Sequence, residues 1–314
     1  MYDVTVIGPA IIDVLARPVD RRVFEIGSQP AESIRMSFGG NALNEAVVLS
    51  RLGERVQLLS NLGTDEAGDR VRAFLERNGV DGAGLIRQDG VPTAVNLVLV
   101  DPQGERHFIT DPGSTLRRLD LPDLEPRLGD LAPIVSFSSL FVSPLLTIAR
   151  TGALFRRIKA RDRLLLVDMT KAKHGETLAD LEPLLPCIDV LVPNQEEARL
   201  LTGESDPLRS LRRLVNAGVG TAVVKCGADG CLVGTGDRTW QIPAVPGTAC
   251  VDTTGAGDAF AAGFLAGLRR GFAPDDCARL GCAAASCAVE ALGATDGVTG
   301  QDRVMERFAR LQTI

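Results

Sequence analysis

Short, uncharged runs rich in valine, isoleucine and leucine recur at residues 4–7, 56–60, 134–138, 164–167, 190–192 and 221–224. Runs of that length without a polar face predict strands buried on both sides, as in a parallel sheet covered by helices. Helical segments lie between them. One opens after Gly39-Gly40 and is closed by Gly53, another spans 69–77, a basic one 150–163, and small-residue runs fill 259–268 and 277–293. This alternation predicts an α/β fold. One segment breaks it: residues 94–100 and 106–110 are both β-rich and flank Asp101-Pro102-Gln103-Gly104-Glu105, a strong turn, so they predict a hairpin. Together with residues around 11–36 it is expected to project as a small β lid.

Composition narrows the class. With 314 residues, 45% hydrophobic and 24% charged, the chain can build one large α/β domain or two smaller ones. A net charge of −6 without a Lys/Arg block gives no surface for a nucleic-acid backbone or anionic lipid. Residues 131–149 carry no charge, but Pro133, Pro144 and four serines favour a buried strand and loop over a membrane span. The N-terminus reads as a first strand rather than a signal peptide. Seven cysteines without a Cys-x-x-Cys pair suit a reducing compartment, so a cytoplasmic location is expected. His107 and His174 are too far apart in sequence to suggest a zinc site or a histidine-centred triad.

The densest chemistry is Asp252-Thr253-Thr254-Gly255-Ala256-Gly257-Asp258, leading into an apolar helix. Glycines at 255 and 257 let the backbone approach a ligand. The unpaired amides and positive dipole end of the helix favour an anion. Asp258 stands beside that cradle as a candidate base, which points to phosphoryl transfer. The bland alternative is a glycine turn in which Asp258 only complements the dipole.

The full run resembles the C-terminal motif of the ribokinase-like carbohydrate kinases, the phosphofructokinase-B family, which reads Asp-Thr-x-Gly-Ala-Gly-Asp. Other segments agree in order. Gly39-Gly40-Asn41 opens a helix with Asn44 one turn on, similar to the family's N-terminal signature. Asn194 and Glu197, with a trailing Leu-Thr-Gly, match its Asn-x-x-Glu motif. Gly227 and Gly230 fall in a strand–turn–strand segment where the family's Gly-x-x-Gly turn runs along the nucleotide.

The resemblance implies a three-layer α/β/α sandwich with a mainly parallel central sheet and a β lid, divided as 1–10, 37–93 and 112–314 for the large domain and 11–36 and 94–111 for the lid. It implies ATP-dependent phosphorylation of a hydroxymethyl group on a small sugar-like substrate. Asp258 would be the general base, with the amides of Gly255, Ala256 and Gly257 as the anion hole. Sugar contacts would come from Asp13, Gly39, Gly40, Asn41 and Asn44, with Asn96 and Arg106 from the lid. Asn194, Glu197, Lys225, Gly227 and Gly230 would serve the nucleotide, Glu197 through Mg²⁺-bound water. Asp252 and the Thr254 carbonyl would hold a monovalent cation such as K⁺, and a homodimer would form through the lid.

Other readings stay beside these. Asn194 and Glu197 also suit helix capping, Asp13 an exposed loop, and Asp168 with Lys171 a surface ion pair. The ribose-contacting Glu of ribokinases is replaced here by Val142 before Ser143-Pro144, which argues against ribose. A nucleoside acceptor is the alternative within the family. A non-catalytic sugar- or nucleotide-binding regulator is the alternative from another class. Neither a Walker phosphate loop nor a Gly-x-Gly-x-x-Gly after the first strand is present.

Overall fold

The computed structural model describes residues 1–236 and 238–312. Its thirteen strands among the described residues are β1 (Val4–Ile7), β2 (Ile11–Arg17), β3 (Ser33–Gly39), β4 (Val56–Gly63), β5 (Leu85–Gln88), β6 (Val95–Val100), β7 (Arg106–Ile109), β8 (Ile134–Leu140), β9 (Leu164–Met169), β10 (Val190–Leu191), β11 (Thr221–Lys225), β12 (Cys231–Thr235) and β13 (Arg238–Ile242). The helices are α1 (Asn41–Arg51), α2 (Glu66–Arg77), α3 (Leu121–Leu124), α4 (Ile148–Lys159), α5 (Gln195–Thr202), α6 (Pro207–Asn216), α7 (Ala256–Arg269), α8 (Pro274–Ala288) and α9 (Gln301–Gln312).

Nine strands form one sheet in the order β13-β12-β11-β10-β9-β8-β1-β4-β5. It is parallel except where β12 meets β11 and β13. The strands were legible as apolar runs because both faces are covered. Val4 and Val6 of β1 and Val223 of β11 join the core beneath α1, α7, α8 and α9. Their strand neighbours Ile7, Ala222 and Val224 join a second core beneath α4, α5 and α6. The result is the expected three-layer α/β/α architecture, with helices on both faces of a mostly parallel sheet.

The segment 131–149 supplies the buried strand β8, and no helix among the described residues is long and apolar enough to cross a membrane. The hairpin is β6 paired antiparallel with β7, Val100 opposite Arg106. It belongs to a separate four-stranded sheet, β3-β2-β6-β7. In that sheet β3 runs on to Gly39, three residues past the lid segment 11–36 expected from sequence, because it pairs with β2 along its whole length. One face is apolar and open: Ile34, Met36, Leu97 and Ile109 share it by register and are all exposed.

Candidate active site

The ends of β9 and β11 and the first turns of α1, α5 and α7 line one cleft of about 820 Å³, a volume ordinary for small-molecule sites. Ligands collect at such strand ends in open α/β sheets. The chain enters α7 through Gly255, whose φ of 73° is left-handed. A Cβ there would lie 2.2 Å from the Ala294 carbonyl oxygen, so the turn admits only glycine. The expected three-amide anion hole is corrected at its middle member, because the Ala256 amide donates to the Thr253 carbonyl at 3.2 Å to close the turn. The amides of Gly255 and Gly257 and the positive end of α7 remain as the anion-attracting group. Lys225 adds a cation here, its Nζ 3.4 Å from the place a Gly257 Cβ would occupy.

Asp258 is the third residue of α7, buried at 8% exposure yet part of the cleft wall. Asn44 of α1 donates to its Oδ2 at 2.7 Å. Burial pushes its pKa up to about 6; the Asn44 hydrogen bond and Lys225 oppose that rise, and the charge of Asp168 adds to it. Asn41, which also borders the cleft, favours the ionised form.

The surface pairing of Asp168 with Lys171 is likewise corrected. Asp168, at the inner end of β9, is buried and takes Lys225 Nζ on both oxygens at 3.0 and 2.9 Å. Lys171 lies past the strand end and pairs with Glu196 at 2.9 Å. Burial alone would lower the Lys225 pKa, but Asp168 and Glu197 outweigh it and the net direction is up.

Asn194 and Glu197 form a reciprocal capping box: Asn194 N–H donates to Glu197 Oε2 at 2.8 Å, and Glu197 N–H donates to Asn194 Oδ1 at 2.9 Å. Both also border the cleft, so the structural and functional readings coincide in place. Burial, opposed chiefly by Lys225, pushes Glu197 to about 7. Gly227 and Gly230 lie on the same cleft wall. At Gly230 a Cβ would come within 2.0 Å of the Ile242 carbonyl oxygen.

On the smaller sheet, Asn96 Nδ2 donates to Asp13 Oδ1 at 3.1 Å across paired strands. A Cβ on Gly39 would sit 2.4 Å from Asp13 Oδ2, so glycine makes room for that carboxylate. Asp13 is half-buried rather than an exposed loop residue. Burial raises its pKa, with Asn96 and Arg106 opposing. Gly40 turns at a φ of 92° over the Pro9 carbonyl.

Arg106 and Asp252, expected to face sugar and cation separately, instead meet each other: Arg106 Nη2 donates to Asp252 Oδ1 at 2.6 Å. Asp252 also accepts from the Thr254 amide and hydroxyl and from the Gly293 amide. Burial acts upward on its pKa, but these donors and Arg106 hold it at about 2. Charge attraction and hydrogen-bond demand at a half-buried carboxylate explain the pairing. Sequence reasoning missed the cleft wall at 244–248, which reads as a plain loop, and assigned nothing to Glu45, wholly buried on α1.

The profile of the pfkB family carbohydrate kinases matches residues 1–299. An uncharacterised sugar kinase of Archaeoglobus fulgidus is 33% identical over 258 residues, 80% of this chain and 97% of that protein. A 2-dehydro-3-deoxygluconokinase of Dickeya dadantii is 30% identical over 286 residues, 85% of this chain and 92% of that one. Among solved structures, Arabidopsis thaliana ribokinase complexed with ribose and ATP superposes with a TM-score of 0.82 at 23% identity, covering 98% of each chain.

Proposed function

The chain belongs to the pfkB family of carbohydrate kinases, and from that premise we propose that it transfers the γ-phosphoryl group of ATP to a hydroxymethyl group of a sugar or sugar-like acceptor. The observation that carries this reading is the Asp258 carboxyl, held by Asn44 in the cleft wall one turn from the Gly255 entrance to α7.

The acceptor oxygen bonds to the γ-phosphorus, the bond from that phosphorus to the bridging oxygen of ADP breaks, and the acceptor's proton passes to Asp258. Position matters more than basicity, because the proton is accepted as the new bond forms. The amides of Gly255 and Gly257 and the Lys225 ammonium stabilise charge on the phosphoryl oxygens. Removing one such donor typically costs about 3 kcal/mol of barrier. Asn194 and Glu197 offer hard oxygen donors at the cleft edge, a set that fits Mg²⁺ through its water shell. The bound ion supplies neutralisation of phosphate charge. K⁺ at Asp252 and Thr254 would compete with Arg106 for the carboxylate. Asp13, Asn96, Asn41 and Asn44 give the acceptor's hydroxyls both donors and acceptors.

The test is ADP release with ATP across ketoses, aldoses, sugar acids and nucleosides. Turnover confined to sugars or sugar acids supports the reading. Preference for a nucleoside, or binding without turnover across the whole panel, overturns it.

The open apolar face of the four-stranded sheet, with Ile34, Met36, Leu97 and Ile109, is read as a contact between two copies, since patches of this kind seek cover. Sedimentation is expected to give a dimer that Leu97→Arg dissociates. A monomer at assay concentration removes this proposal.

A further inference from the structure

Glu45 follows Asn44 on α1 and is 0% exposed. Its Oε2 accepts from the Ser136 hydroxyl of β8 at 2.6 Å, while its Oε1 has no partner. The Ser138 hydroxyl, further along β8, also acts on this carboxyl and is itself without a partner.

The charges around Glu45 decide its form. Asp258 from α7 and Asp168 from β9 both press on it with negative charge. Lys225 of β11 is bonded to both oxygens of Asp168. Strands β1, β4 and β8, which pack on α1, have no charged residue, and Arg35 of β3 is exposed. An anion here would be shut off from bulk solvent, with no cation of its own and two carboxyl neighbours, a penalty of several kcal/mol. A proton on Glu45 removes that penalty. Directed at Ser138, it would also give both orphaned oxygens a partner.

We propose that Glu45 is a neutral carboxylic acid across the working pH range and a positioning residue for the base, locking α1 to β8 through Ser136 and Ser138 and so fixing Asn44 against Asp258. The link to the base rests on the kinase reading; the protonation does not. The burial that drives the Glu45 pKa well above the usual carboxyl range, reinforced by Asp168, agrees in direction.

Infrared spectra of the intact chain at about pH 9, where ordinary carboxyls are ionised, are expected to contain the C=O stretch of a protonated acid, which Glu45→Gln deletes. Glu45→Gln preserves volume and hydrogen bonding, so kcat should stay within about threefold and the acid limb of its pH profile within about 0.3 unit. Glu45→Leu fills the space without a hydrogen bond. It is expected to lower kcat by about tenfold with KM for ATP within about twofold, as misplacement of a reacting group does. Two results overturn the protonation: no acid band in the unsubstituted chain, or an acid limb displaced downward by about 1 unit in Glu45→Gln, the effect of deleting a neighbouring negative charge. Wild-type kcat in Glu45→Leu overturns the positioning role. A band lost in Glu45→Gln from a chain inactive toward every acceptor keeps the protonation and sinks only the kinase reading.

Discussion

Asp258→Asn is expected to lower kcat by about 10²–10⁴-fold, the usual contribution of a positioned base, with little change in ATP binding. The asparagine oxygen can still accept from Asn44, so the cleft keeps its shape while losing the proton acceptor. The unsubstituted enzyme should lose turnover as pH falls through about 6, where burial places this carboxyl. The same substitution is expected to stabilise the fold. The folded carboxyl titrates at about 6 against an ordinary value of 3.8, so the native state holds this proton more tightly than the unfolded chain. Its stabilising contribution is complete below the unfolded value and is lost as pH rises through about 6. The difference is on the order of 2–3 kcal/mol, which asparagine recovers at neutral pH. Paired kinetic and thermal-melting measurements at pH 5 and 8 check both halves. Undiminished turnover in Asp258→Asn would remove the residue from the role of base.

Gly255→Ala is expected to be nearly as damaging for a different reason. A left-handed residue with a side chain costs about 1–2 kcal/mol, and here the added carbon would also strike the Ala294 carbonyl at 2.2 Å. The turn must move, and its amides move with it. We expect kcat to fall by about 10²–10³-fold, the loss seen when a preorganised donor is displaced, with a lower melting temperature. Gly257→Ala is the control, since its Cβ would meet only Lys225 Nζ, at 3.4 Å, a distance of ordinary contact. Equal, mild effects in the two variants would show that the Gly255 turn is not what aligns the phosphate.

What could be read from the chain and what could not divides along physical lines. Runs such as Val4–Ile7 announce their strands because both faces are covered, leaving no polar alternation to confuse the period. The turn at 255–258 is legible because a left-handed entry into a helix demands glycine in a local, unbroken stretch. Partnerships across the fold leave no such trace. The pairing of Lys225 with Asp168 spans 57 positions, and Asn44 reaches Asp258 across 214. The upward displacement of the Asp258 pKa depends on α1 closing over it, which spacing cannot report. Glu45 looks like any glutamate on a helix until its neighbours are known. The Ala256 amide was misread because its acceptor, Thr253, is fixed by turn geometry rather than residue type.

The contact between Arg106 and Asp252 has a consequence for how the two sheets communicate. One guanidinium, about a third exposed on its side chain, ties the outer strand β7 to the carboxylate that organises the residues before α7. Apolar packing is indifferent to dissolved ions, whereas a partly hydrated charge pair weakens as the Debye length shortens from about 10 Å at 0.1 M salt to about 3 Å at 1 M. Ionic strength therefore acts on this protein as a dial, loosening the grip of the outer sheet while leaving both cores as tight as before.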